Sequence, residues 1–231
     1  MKRCCNIAFC LVFMVTAMAQ ENTGLKIIFK PFFGSSRLSL DSIYRVNTQD
    51  SIQFNNFKFY VSKVELLNTG KSIFKDEQLA HLIDASIKDA QEILLNVSAN
   101  LHFDQVRFSI GIDSVTNVAG VLGGDLDPTT GMYWSWQSGY INMKLEGKSN
   151  MSSDRKSEFA FHLGGYQFPN IGIQTINLNV SDASDMEIDI DLKFFINQLN
   201  LSQQHHIMSP SIKAVTLSQL FSQSFKLSEK R

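Results

Sequence analysis

The sequence predicts an all-β protein: a single antiparallel β-sandwich with few short helices. Apolar residues recur at every second position in one segment after another between residues 25 and 196. Gly, Asn, Asp and Ser separate these segments, and helical spacing of apolar residues occurs in only two places. Short alternating runs with turn signals between them are the pattern of a sandwich, whose strands each bury one face.

"LKIIFKPFF" (25–33) opens the series with apolar and β-branched residues. "SIQFNNFKFYVSKVELL" (51–67) alternates through Phe57, Phe59, Val61 and Val64, with an irregularity expected near Ser62. "FDQVRFSIGID" (103–113) puts Val106, Phe108, Ile110 and Ile112 on one face. In "GYINMKLEG" (139–147), Ile141, Met143 and Leu145 oppose Asn142, Lys144 and Glu146. "SEFAFHLGGY" (157–166) sets Phe159, Phe161 and Leu163 against Ala160 and His162. "TINLNV" (175–180) and "MEIDIDLKFFI" (186–196) complete the set, and the alternating Glu187, Asp189 and Asp191 read as a solvated face. "DAQEILLNV" (89–97) predicts two helical turns. "SIKAVTLSQLFSQSF" (211–225) predicts a helix that starts after Pro210.

The N-terminus reads as a secretory signal peptide over 1–19. Lys2 and Arg3 precede an apolar run from Ile7 to Ala19, which closes on Ala17-Met18-Ala19. The run is too short for a membrane span. Cleavage before Gln20 leaves one sandwich domain over 20–231, periplasmic or secreted. All three cysteines, Cys4, Cys5 and Cys10, lie in the leader. Phe9 stands before Cys10 where a lipoprotein signal needs a small residue. The exported chain therefore has no thiol for a disulfide or a metal, and its stability must come from an apolar core. Charge is balanced, with 21 basic and 22 acidic residues and no basic stripe, which argues against a nucleic-acid partner.

Candidate chemistry centres on "GMYWSWQSGY" (131–140), which holds both tryptophans, Trp134 and Trp136. On a strand Met132, Trp134 and Trp136 share a face. Such rings either fill a sandwich interior or form a reactive or ligand-binding pair. The Gly-rich stretch 114–131 delivers the chain to them. Its glycines lack the Lys-Ser/Thr of a phosphate loop, so Gly123, Gly124 and Gly131 are expected at turns with positive φ. Asp125-x-Asp127 suggests calcium but lacks the further oxygen ligands.

Among the five histidines, His81, His102, His162, His205 and His206, His162 is the strongest metal candidate, since it interrupts "FAFHLGGY". His81 is ambiguous. His205 and His206 with Met208 form a secondary copper candidate, imidazole and thioether both being copper donors. No nucleophile–base constellation is visible, so the chain is not expected to be an enzyme.

"GVLGGDLDPTTGMYWSWQSGYINMKLEG" (120–147) resembles the MbnP family of exported bacterial proteins, which includes CorA-like proteins. "FKFYVSKVELL" (57–67), "HLIDAS" (81–86), "VRFSIGIDSVTN" (106–117), "FAFHLGG" (159–165) and "IMSP" (207–210) follow that family's order. The resemblance implies a β-sandwich that binds copper outside the cytoplasm. It further implies that a tryptophan, here Trp134 or Trp136, is oxidised to kynurenine by a partner di-haem, peroxidase-like protein of the MbnH type. The modified side chain then binds copper beside histidine, with His162 and His81 as the matching positions. The alternative is a structural or adhesive sandwich whose tryptophans only pack the core.

Overall fold

The computed structural model of the chain describes residues 22–98, 100–137, 139–181 and 186–229, and the proposed signal peptide over 1–19 lies outside them. The strands are β1 (Asn22–Phe33), β2 (Ser36–Arg37), β3 (Ile43–Arg45), β4 (Ser51–Asn68), β5 (Lys71–Lys75), β6 (Ala80–Asp84), β7 (Glu92–Ser98), β8 (Gln105–Ile110), β9 (Tyr133–Trp134), β10 (Gly139–Ser149), β11 (Glu158–Gly164), β12 (Tyr166–Gln167), β13 (Asn170–Ile171), β14 (Gln174–Asn179), β15 (Met186–Asp191), β16 (His206–Ile207) and β17 (Phe225–Leu227). Three short α-helices accompany them: α1 (Ser114–Val118), α2 (Leu192–Asn197) and α3 (Ile212–Ser222).

One sheet runs β17-β15-β1-β2, with β7 also paired to β1. The larger sheet runs β14-β8-β4-β10-β11-β16, with β3, β5 and β6 on β4 and β9 on β10. β12 and β13 form a separate ribbon. The chain is all-β as expected, although the sheets are mixed: β1 runs parallel to β15, and β11 parallel to β16.

Between the two sheets lies a core drawn from Leu25 through Phe225. Its centre is aromatic. The Phe29 ring meets those of Phe59 and Phe108 edge-on, at centroid distances of 5.8 and 5.7 Å. This arrangement suits the ring quadrupoles. Phe195 of α2 and Phe221 of α3 pack on one another in the same core, 5.6 Å apart.

The second half of 89–97 departs from expectation. Lys88–Gln91 makes a 3₁₀ turn, and β7 then follows as a strand. Ile93, Leu95 and Val97 are buried while Leu94 is exposed, so the period of two wins over the helical reading. The run 186–196 divides. Asp191 ends β15, and its carboxylate accepts the Phe194 amide at 2.9 Å, capping α2. The C-terminal helix forms as predicted, with Ser211 after Pro210 as its N-cap, accepting from the Ala214 amide at 3.1 Å. The irregularity near Ser62 is a bulge, with Lys63 at φ 51°.

Two of the three loop glycines adopt the positive φ expected of them. Gly124 lies at 65° and Gly131 at 75°, whereas Gly123 is extended at −95°. No heavy atom lies within 4 Å of a Cβ built on Gly124. A side chain there therefore meets backbone strain but no clash. Gly124→Val is expected to cost about 1–2 kcal/mol in chemical denaturation, and an unchanged unfolding midpoint contradicts this. Phe29→Ala, which empties the centre of the core, should cost about 3–5 kcal/mol; a loss under 1 kcal/mol would show that the two sheets do not depend on this ring.

Candidate functional site

The larger sheet has two faces. On β4, Phe57, Phe59 and Val61 point into the core. Lys58, Tyr60 and Ser62 alternate with them and so lie on the outer face. The cross-strand registers carry this face outward: Asp84 of β6 pairs with Lys58, Lys58 with Lys144 of β10, and Lys144 with His162 of β11. Two lysines directly opposite one another repel. Asp84 binds the Lys58 ammonium at 2.8 Å. Both lysines also donate to carbonyls of the overlying loop, Lys58 to Thr130 at 3.4 Å and Lys144 to Gly131 at 3.2 Å. The repulsion is thereby turned into an anchor for the segment that leads to the tryptophans.

That segment builds a second, smaller core on the outer face. Tyr60, Ala80, Ile112, Leu126, Met132, Trp134, Tyr140 and Ile141 are buried together. The Tyr60 hydroxyl donates to the Asp125 carbonyl at 3.0 Å, and burial pushes its pKa upward. Asn117 ties the loop back to the sheet through its amide group, donating to the Ile112 carbonyl at 3.0 Å and accepting the Tyr140 amide at 2.8 Å. The two carboxylates of Asp125-x-Asp127 are already engaged, one to β6 and one within the loop. Asp125 accepts the Leu82 amide at 3.0 Å, and Asp127 accepts the Thr129 amide at 2.8 Å.

The tryptophan strand is shorter than its sequence suggests. β9 ends at Trp134, and residues 135–137 form a turn into β10. Met132 and Trp134 are buried, but Trp136 is 65% exposed. Trp136 therefore does not pack the core. Its ring tilts at 54° over that of Trp134, with centroids 6.2 Å apart. Trp134 itself lies on Gly164 of β11, where a Cβ would come within 2.8 Å of its six-membered ring. Only glycine permits this approach. One edge of Trp134 borders a groove of about 190 Å³, shared with Gln137, Tyr140, Tyr166, Phe168 and Pro210.

His162 occupies the outer face of β11 two residues before Gly164, the glycine on which Trp134 rests, so it shares that strand face with Gly164. The histidine is 6% exposed. Its Nε2 meets Glu146 Oε1 at 2.7 Å. That hydrogen bond, above all, holds the Glu146 carboxyl at about 2, against an ordinary 4.5; burial opposes the shift, and Lys144 and Asn56 add to it. A neutral His162 that donates Nε2–H to this carboxylate carries its lone pair on Nδ1.

His81 is not brought to this centre. It pairs with Val61, a core residue, and so lies on the opposite face from His162. Its Nε2 is engaged by Asp76. The sequence spacing of β6 fixed its alternation but not which face would meet the core. His205 and His206 lie at β16, on the far edge of the sheet, and Met208 is 48% exposed beyond them. His102 is exposed on a loop, where its carbonyl accepts from the Asn68 side chain at 3.0 Å. Glu146 is the residue that sequence reasoning missed. The one available signal was its position two residues from Lys144 on the polar face of β10.

Two expectations follow from this geometry. Glu146 has a depressed pKa, so its contribution to stability is fully present above about pH 4.5 and is lost as the pH falls toward 2. The stability difference between the parent and Glu146→Gln should therefore shrink between pH 7 and pH 3 in urea titrations, and a difference independent of pH would refute the pairing. Gly164→Ala should lift Trp134 from β11, destabilise the fold by about 1–3 kcal/mol and shift tryptophan emission to the red. Unchanged emission would mean that Trp134 does not rest on this glycine.

Comparison with known proteins agrees with this architecture. Among solved structures, the fold is similar to MbnP from Methylosinus trichosporium, with a TM-score of 0.60 at 13% identity, covering 84% of this chain and 87% of that one. No match was found among curated proteins. Among the described residues, no helix is long and apolar enough to cross a membrane. The sequence profile of the MbnP family matches residues 22–212, which is most of the chain and includes β9, β10 and β11 with both tryptophans and His162; the chain belongs to the MbnP family.

Proposed function

We propose that this protein is an exported copper-binding protein, not an enzyme, in which Trp134 or Trp136 is oxidised to kynurenine and then binds copper together with His162. A di-haem, peroxidase-like protein of the MbnH type is the partner that performs the oxidation. The observation that carries this reading is the placement of Trp134 on Gly164, two residues along the same face of β11 from His162, with the exposed ring of Trp136 tilted over it.

Donor chemistry explains why oxidation matters. Without modification the centre offers one imidazole, His162, and one carboxylate, Glu146. An indole nitrogen shares its lone pair with the ring and is a poor ligand. Kynurenine replaces it with an aryl amine and a ketone, and the donor set then suits copper. Cleavage of the indole C2–C3 bond adds two oxygen atoms, supplied by two equivalents of peroxide that leave as water. Hydrolysis of the resulting N-formyl group releases formate. His162 supplies an imidazole whose orientation Glu146 sets, the usual role of a carboxylate behind a metal-binding histidine. Of the two tryptophans, Trp134 rests on Gly164, two residues from His162 along β11, and Trp136 is the one a partner protein can reach. The pair so offers a path for oxidation from the surface inward.

A structural or adhesive sandwich remains the second reading. It is favoured by the burial of Trp134, 5% exposed within the small core of Tyr60, Met132 and Tyr140.

The decisive measurement is the mass of protein purified from its native host. Kynurenine formation adds about 4 Da, one carbon lost and one oxygen gained, and fragment spectra locate the change at 134 or 136. Mature protein should begin at or near Gln20. His162→Ala should weaken copper binding by at least about tenfold with the fold intact. An unmodified mass, together with copper titrations of His162→Ala that match the parent, would leave the structural reading in place.

A further inference from the structure

We propose that Asp154, His205 and His206 form a second metal site, separate from the tryptophan centre, for a borderline divalent cation of the Zn²⁺ or Cu²⁺ type. One ligand atom from each of the three residues lies within 4.8 Å of the others. Ligands held about 2.0–2.2 Å from a tetrahedral ion stand somewhat over 3 Å apart, so small side-chain rotations close the site.

The three side chains come from two segments that β11 holds in register. The His205 carbonyl accepts the Ala160 amide at 2.8 Å, and His206 pairs with Ala160. Asp154 lies in the connection from β10 to β11. Its Oδ2 accepts the backbone amides of Lys156 at 2.7 Å and Glu158 at 3.4 Å.

Neighbouring residues of a strand usually point to opposite faces. Here the two imidazoles converge instead, with ring centroids 4.9 Å apart at 71°, because His205 precedes the two-residue strand β16. Ser153 supplies an outer contact. Its Oγ donates to the Ser202 carbonyl at 2.6 Å and lies 3.4 Å from His205 Nδ1. With its proton committed to Ser202, the Ser153 oxygen accepts from Nδ1–H. The lone pair of His205 is then on Nε2, the tautomer set by an outer partner as in known metal sites.

The donor set selects the ion. Two imidazoles and one carboxylate make a nitrogen–oxygen site without sulfur. Calcium and magnesium prefer all-oxygen ligation, and Cu(I) prefers thioether or thiolate, which leaves the first-row divalent ions that imidazole suits, with Zn²⁺ as the probe and Cu²⁺ the tightest binder among them. Asp154 and His205 are half-buried and His206 is exposed, so water completes the coordination. The site differs from the tryptophan centre in needing no modification. An ion there would also link the 150–157 loop to the 198–207 segment, and so bind the folded state selectively.

The test uses metal-free, tag-free mature protein titrated with Zn²⁺ by calorimetry, with melting temperature read in parallel. Binding in the micromolar range, a raised melting temperature, and displacement of Zn²⁺ by Cu²⁺ are expected. Asp154→Asn and His206→Ala should each weaken Zn²⁺ binding by at least about tenfold, with metal-free melting temperatures unchanged. His162→Ala and Trp134→Phe should leave Zn²⁺ binding unaltered, so this result stands or falls apart from the copper reading above. The absence of any Zn²⁺ heat or melting shift overturns the proposal, as does full binding by a His205→Ala/His206→Ala double variant. Loss of Zn²⁺ binding in His162→Ala would overturn the claim of two separate sites. If His206→Ala does not fold, the isosteric Asp154→Asn carries the test.

Discussion

The alternation of side chains along β4, β10 and β11 is the constraint on which the rest of the structure depends. Each strand must send every second residue into the space between the sheets, and there Phe57, Phe59, Leu145, Phe159, Phe161 and Leu163 join the main core. The residues between them have no choice but the outer face. Lys58, Lys144, Glu146 and His162 thus stand in adjacent registers across three strands. A slip of one residue would exchange the two sets and bury the charges. The polar row is thereby held by the same force that fills the core.

A bare polar row would be an ordinary solvated surface. The 112–137 segment changes that by packing a second core onto the outer face, and on that face His162 is buried and Glu146 half-buried. Within such a setting each polar group needs a partner. The lysine ammonium groups find loop carbonyls, and His162 finds Glu146. The fork where β8 and β10 leave β4 is filled by Asn142, whose Oδ1 accepts the Ile112 amide at 3.0 Å. A Cβ on Gly111 would collide with that side chain at 2.3 Å. The loop is therefore held by specific contacts at both ends, and Trp134 is positioned from beneath by the absence of a side chain at Gly164.

The two candidate centres occupy this same outer face but follow different chemistry. Beside Trp134, one imidazole and one carboxylate are too few donors, and the proposed oxidation supplies the remainder. At the sheet edge, three donors are present in the chain without modification, and what brings the histidines to Asp154 is the register of β16 on β11. Ala160 separates the two in the cross-strand row from Glu146 to His206. Its small side chain leaves a shallow groove lined by Glu146, Glu158 and His206.

Much of the fold was legible in the sequence because period-two alternation is a local property, and so are caps such as Ser211 and breaks such as the one after Ser62. The fate of 89–97 was not. The run Ile93-Leu94-Leu95 satisfies either period, and only its pairing with β1 exposes Leu94 and makes a strand. The site divides in the same way. The rarity of tryptophan singled out Trp134 and Trp136, and the place of His162 in "FAFHLGGY" together with the family resemblance singled out the histidine; both signals are local and need no long-range information. Their geometry depends on which residues lie opposite one another across strands distant in sequence. Tertiary structure alone sent His81 to the far face, turned Trp136 into solvent, placed Glu146 behind His162 and gathered Asp154 with His205 and His206. The physical reason is that a strand sequence specifies two faces but not which partner each face will meet; that is decided when the sheets pack and the registers lock.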